Sequence, residues 1–304
     1  MSGFFLDDVE IPLGRWVQDG VRWIQRNDTS QTILDGIEQA VRALVDAFEA
    51  VLTLLPLELM ALLIIALSFW RVGWRFGLFS ILGLFFIVAI GLWDAMISTL
   101  ALVLSASTIA LLVGMPIGIA MARRSAVEQA VKPVLDFMQT MPPFVYLIPA
   151  VIFFGLGKVP GAIATVVFAM PPAVRLTALG IKQVSAEKVE AGQAFGCTST
   201  QLLLKVQLPL ALPSIMAGIN QTIMLSLSMV VIASMIGAGG LGDPVLAGIQ
   251  RLQVGTGFEG GLGVVILAIL LDRITQSFAP TRDRRRAGLF SFLRSWAGSG
   301  GKSA

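Results

Sequence analysis

The hydrophobic positions of this chain fall in long unbroken blocks, with few of the one-sided patterns of a soluble protein. Apolar blocks occupy 52–70, 76–93, 95–122, 144–157, 159–179, 211–236 and 260–279. A helix needs about 20 mainly apolar residues to cross a hydrocarbon core of about 30 Å, so the blocks predict an all-α polytopic bundle of about seven transmembrane helices. The 144–157 block is the shortest and contains Pro149, a kink position. Continuous blocks favour helices over a barrel, whose strands alternate at period two. Two stretches break the pattern. Gln31–Val51 carries Ile33, Leu34, Ile37, Val41, Leu44, Val45 and Phe48 at helical spacing opposite a polar face. That spacing predicts an amphipathic helix, either packed on the spans or lying on the membrane surface. The second stretch, Glu187–Pro209, is a polar, helix-forming island between two apolar blocks. A soluble segment inside a membrane chain needs a partner in the water.

Composition agrees with the blocks. The chain is 56% hydrophobic and 13% charged, against about 25% charged in a soluble domain. It has no histidine and one cysteine, Cys197. An internal disulfide is therefore impossible, a Cys/His metal site is not expected, and His-based catalytic triads fail. No catalytic residue is assigned. Asp7, Asp8 and Glu10 near the N-terminus, without a basic patch and apolar core, predict no cleavable signal peptide.

The placement of Lys and Arg sets the orientation. One set of loops holds Arg71, Arg75, Arg123, Arg124, Lys132, Arg175, Lys182, Lys188 and Lys205, together with a tail containing Arg282, Arg284, Arg285, Arg286, Arg294 and Lys302. The opposite set holds Lys158 and Arg251 and a net acidic N-terminal tail. Seven spans with the N-terminus outside and the C-terminus in the cytoplasm satisfy this bias, and they place the polar island in the cytoplasm. The chain then divides into an extracytoplasmic tail with its amphipathic helix (1–51), two accessory spans (52–93), a transmembrane core with the polar segment 187–209 (94–280), and a basic cytoplasmic tail (281–304). The tail is read as an anchor toward membrane lipid and not as a nucleic-acid site.

Three nucleotide-like motifs lack their context. Gly301-Lys302-Ser303 resembles the end of a phosphate-binding loop, but Trp296 stands where its first glycine belongs. Gly237, Gly239, Gly242 and Gly255, Gly257, Gly260 both match G-x-G-x-x-G without the strand-turn-helix unit that a dinucleotide site needs. They are expected in a flexible, close-packed external loop. The chain carries no nucleotide site of its own. Ionisable residues in or beside the spans are few: Glu58, Asp94, Glu259, Asp272 and Arg273. The interiors of 95–122, 144–157 and 211–236 have none, which speaks against a proton-coupled carrier. Span 211–236 does hold Asn220, Gln221, Thr222 and Ser226. Small and hydroxyl residues commonly pack helices together, but amides in hydrocarbon need partners. These four are the candidate translocation path, suited to a solute without net charge.

The island itself should form two short helices. Gly196 is a natural stop, Thr198 or Ser199 a natural N-cap, Pro209 the expected end of the second helix, and Pro213 the expected start of the next span. Its sequence, EAGQAFGCTSTQLLLKVQLP, resembles the E-A-A-x3-G-x9-I-x-L-P signature of ABC importer permeases. Glu190 and Ala191 match, Gly192 replaces the second alanine, Gly196 matches, Val206 replaces isoleucine, and Leu208 and Pro209 match. From about Trp93 to Gln276, stretches such as MPPFVYLIPAVIFFGLGKVPG and GVVILAILLDRITQ resemble the permease subunit of glycine betaine/proline betaine importers. The resemblance implies a homodimer in a bacterial inner membrane, with two ATPase subunits docked on the island. ATP and Mg would be bound by the ATPase and no cofactor by this chain. An external solute-binding protein would select quaternary ammonium compounds through an aromatic cage. Choline, carnitine or a sulfonate are alternative solutes, and an ion-coupled carrier is the alternative from another class.

Overall fold

The computed structural model describes residues 13–279. Asp7, Asp8, Glu10, the basic tail and Gly301–Ser303 lie outside the described residues. The regular elements among the described residues are all helical. In order they are α1 (Leu13–Arg26), α2 (Asp28–Thr53), α3 (Leu57–Arg71), α4 (Trp74–Ala89), α5 (Trp93–Arg123) and α6 (Ser125–Thr140). A 3-10 turn (Pro143–Tyr146) leads into α7 (Leu147–Phe154), followed by α8 (Lys158–Lys182), α9 (Ala186–Ala194) and α10 (Ser199–Leu202). A π-helical turn (Leu203–Gln207), α11 (Leu208–Ala233), α12 (Gly242–Gln250) and α13 (Val254–Gln276) complete the chain.

The centre is built from α5, α8 and α11, which pack on one another along most of their lengths. Small residues make this possible, because lipid tails compete equally for apolar side chains and helices must gain from close backbone approach. A Cβ on Gly118 of α5 would stand 2.5 Å from the Val174 carbonyl of α8, and one on Gly180 of α8 would stand 2.7 Å from Ser214 Cβ of α11. Some buried hydroxyls are satisfied within their own helices: Thr165 Oγ1 donates to the Gly161 carbonyl at 2.7 Å and Ser105 Oγ to the Ala101 carbonyl at 2.6 Å. Helix α2 turns Val41 and Val45 into this core and pairs Glu49 with Lys158 at 2.7 Å. Of the two readings of Gln31–Val51, α2 follows the packed one.

The seven blocks do not become seven straight spans. Among the described residues, four helices are long and apolar enough to cross a membrane: α5, α8, the continuous run Ser199–Ile236, and α13. Two bent pairs raise the number to at most six: α2 with α3, at 94°, and α6 with Pro143–Phe154, at 110°. Helix α4 is a shorter apolar helix. The 144–157 block resolves into a 3-10 turn and the 8-residue α7, which covers only about 12 Å. The loop expected before it is the amphipathic helix α6, whose Leu135 and Met138 pack against Met121, Val174 and Ala178.

The second glycine run also departs from expectation. Gly255, Gly257 and Gly260 lie inside α13, not in a loop. Gly257 and Gly260 let α13 pack tightly on α12, where a Cβ on Gly248 would stand 2.3 Å from Gly257 Cα and one on Gly260 2.9 Å from the Val245 amide nitrogen. The first run does form a tight turn. Gly237, Gly239 and Gly240 take positive φ, and the Leu241 amide donates to Thr99 Oγ1 at 2.8 Å.

Candidate coupling site

The polar island is an elbow followed by a rod. Helix α9 carries Glu190, Ala191 and Gly192 and ends at Phe195. Gly196 then adopts φ +77°. Its amide donates to the Gln193 carbonyl at 2.8 Å, and the Cys197 amide donates to the Gly192 carbonyl at 3.1 Å. These two bonds make a Schellman motif, which needs a left-handed residue at the Gly196 position. Thr198 opens α10 with a reciprocal cap: its hydroxyl accepts from the Gln201 amide at 3.3 Å, and its own amide donates to Gln201 Oε1 at 2.9 Å. The stop at Gly196 was legible in the sequence, and of the two expected caps, Thr198 and Ser199, the structure uses Thr198.

The expected stop at Pro209 does not occur. Helix α10 runs through the π turn into α11, so Ser199–Ile236 is one continuous helical rod. Pro209 cannot donate a hydrogen bond, and its ring crowds the preceding turn. The wide turn makes room for it: the Leu208 amide bonds back five residues to the Leu203 carbonyl. Pro209 therefore begins α11 without ending α10, and Pro213 lies inside α11 instead of opening it.

Glu190, Ala191, Gly196 and Pro209 are exposed, whereas Val206 and Leu208 are half-buried against the body of the protein. Glu190 lies in the middle of α9, too far in to cap its start. Gly192 is buried: a Cβ there would stand 2.7 Å from Leu202 Cδ1. At this departure from the signature α9 lies directly on the buried Leu202, whose side-chain end would have to rotate to admit alanine. Phe195 at the elbow is 89% exposed. Sequence reading passed over it, although a lone aromatic ring in a polar island next to the stop glycine was the signal.

The four residues of the candidate path occupy different faces of α11. Thr222 and Ser226, four residues apart, are both buried, and Ser226 Oγ accepts from Ser107 Oγ of α5 at 3.0 Å. Thr222 Oγ1 has no partner among the described residues. Asn220 turns toward α13, where its Nδ2 donates to Asp272 Oδ1 at 2.8 Å; Gln276 Nε2 donates to the same oxygen at 2.6 Å. Gln221 is exposed. Asp272 stood out in the sequence as a carboxylate within a span, but its partner on α11 did not. Among the described residues no cluster of His, Cys, Asp and Glu is arranged to hold a metal ion.

Residues 114–284 match the family of binding-protein-dependent transport system inner membrane components. The chain belongs to this family. The matched region contains the elbow, the rod, α8 and the last turns of α5. The chain is 52% identical over 272 residues to the glycine betaine/carnitine transport permease protein of Listeria monocytogenes, covering 88% of this chain and 95% of that protein. It is 48% identical over 275 residues to the glycine betaine transport system permease protein of Bacillus subtilis, covering 90% and 97%. It is 47% identical over 279 residues to the glycine betaine/proline betaine permease protein of Escherichia coli, covering 91% and 77%. Among solved structures, an inward-facing form of the MetNI methionine ABC transporter matches at a TM-score of 0.55 and 22% identity, over 61% of this chain and 95% of that one. At that identity the match establishes the importer-type permease fold. Family membership makes the chain the membrane component of a transport system and sets aside the ion-coupled carrier.

Proposed function

We propose that the chain is the permease subunit of an ATP-driven importer of glycine betaine and related quaternary ammonium solutes. One observation carries this reading: 47–52% identity to three glycine betaine permeases along about nine-tenths of the chain. In this reading the N-terminus lies outside and the C-terminus in the cytoplasm, an orientation that the Lys and Arg bias supports. A separate ATPase docks on the elbow, with Phe195 as the exposed anchor, and binds the ATP and Mg; this chain binds no cofactor. A solute-binding protein delivers solute from outside.

The rod supports the coupling role. A push on α10 reaches Asn220, Thr222 and Ser226 through continuous helix, by way of the π turn and Pro213. The exposed side of α11 supports assembly of two copies. Gln221 and Ser228, seven residues apart, share that side with Ala217. A glutamine amide left in hydrocarbon costs several kcal/mol. A second copy or a water-filled path removes that cost, and Gln221 is the residue assigned to the path.

The test is uptake of labelled glycine betaine, choline and proline into proteoliposomes holding the permease, the ATPase and the binding protein. ATP-dependent accumulation of glycine betaine is expected. Accumulation of choline or proline with no glycine betaine uptake would reassign the solute and leave the family standing.

A further inference from the structure

An open cavity of about 470 Å³ lies between the α3–α4 turn and the last turns of α13. Val72, Gly73, Trp74, Arg75, Phe79 and Arg273 line it. Its chemistry is divided. Two guanidinium groups share the lining with aromatic and aliphatic side chains. Arg75 and Arg273 are exposed, and among the described residues neither has a carboxylate within 4.0 Å. The neighbouring carboxylate, Asp272, is engaged by Asn220 and Gln276. Arg71 is also committed: it donates to the Ser277 carbonyl at 2.9 Å and lies 4.2 Å over the Phe278 ring, tying α3 to the end of α13.

The surroundings place this cavity at the membrane boundary. Trp70 and Trp74 are 79% and 68% exposed, as expected of rings at headgroup depth. Beyond them α4 exposes Leu78, Leu82 and Phe85, an apolar track leading away from the arginines. The unpaired amides at the start of α4, behind Gly73, add further donors to the same opening.

We propose that this cavity binds the headgroup phosphate of an acidic phospholipid, with the acyl chains lying along α4. The track selects an amphiphile over a free anion. The lack of a carboxylate beside the two arginines among the described residues selects an acidic lipid over a zwitterionic one, whose ammonium would offset the attraction of its own phosphate. Each arginine at such a surface contributes a comparable electrostatic increment, so losing both weakens acidic-lipid binding about thirtyfold.

The experiment is native mass spectrometry of the full-length permease titrated with phosphatidylglycerol, phosphatidylcholine or inorganic phosphate. The variants are R75Q/R273Q, the charge-retaining R75K/R273K, and R251Q as a remote control. The expected result is a retained phosphatidylglycerol adduct that phosphatidylcholine does not replace. The adduct is lost in R75Q/R273Q, largely kept in R75K/R273K and unchanged in R251Q. Equal binding of both lipids, or full binding by R75Q/R273Q, overturns the proposal. Displacement of phosphatidylglycerol by inorganic phosphate overturns the lipid assignment. Loss in R75K/R273K equal to that in R75Q/R273Q also overturns it, because binding would then not follow charge.

Discussion

Gly196 offers the sharpest test of the elbow, because its environment separates backbone strain from crowding. The residue sits at φ +77°, and a Cβ built there meets no atom within 4 Å. A side chain at this position therefore costs only what the left-handed backbone imposes, about 1–2 kcal/mol for an ordinary L-residue and more for a β-branched one. Asparagine tolerates the conformation and should cost a few tenths. Helix α9 has nine residues, too few to be stable alone, so strain at its end passes directly into the population able to receive the ATPase. Gly196→Val should weaken ATPase binding about tenfold or more, Gly196→Ala about fivefold, and Gly196→Asn less than about threefold. The assay is titration of the purified ATPase subunit onto the permease in nanodiscs, with variants matched for membrane level, alongside ATP-driven uptake. If Gly196→Val binds as tightly as wild type, the elbow is not the dock. If Gly196→Asn is as damaging as Gly196→Val, the requirement is for empty space at Gly196 and the backbone argument fails.

Three further outcomes follow from the packing. Gly192→Ala restores the family residue, gains up to about 1 kcal/mol of helix propensity, and needs only a rotation of the Leu202 side-chain end, so coupled uptake should stay near wild type; its loss would show that α9 cannot move off Leu202. Gly248→Ala drives a methyl group into the Gly257 backbone and should cost about 1–3 kcal/mol, seen as a thermal midpoint lower by several degrees, whereas Gly255→Ala, with open space around it, should change little; equal midpoints would refute the close α12–α13 contact. A double-mutant cycle on Ser107→Ala and Ser226→Ala should return about 0.6 kcal/mol of coupling in an unfolding assay in detergent, and zero coupling would place the two hydroxyls apart.

The sequence by itself settled the class of the protein and the local chemistry of the elbow. Apolar block length marks membrane helices because hydrocarbon satisfies no backbone hydrogen bond, and Gly196 and Thr198 mark a stop and a start because both act through bonds made within a few residues. What the sequence left open depends on neighbours distant along the chain. Pro209 reads as a helix end until a π turn is seen to absorb it. Gly255, Gly257 and Gly260 read as loop until they are seen inside α13, with α12 lying on Gly257 and Gly260. Asn220 and Gln221 are adjacent in sequence, but one faces Asp272 on α13 and the other lies on an exposed surface. Only the tertiary structure assigns those faces, because a helix turns each residue 100° from the last and a helix hydrophobic on all sides carries no periodic signal for which side meets protein.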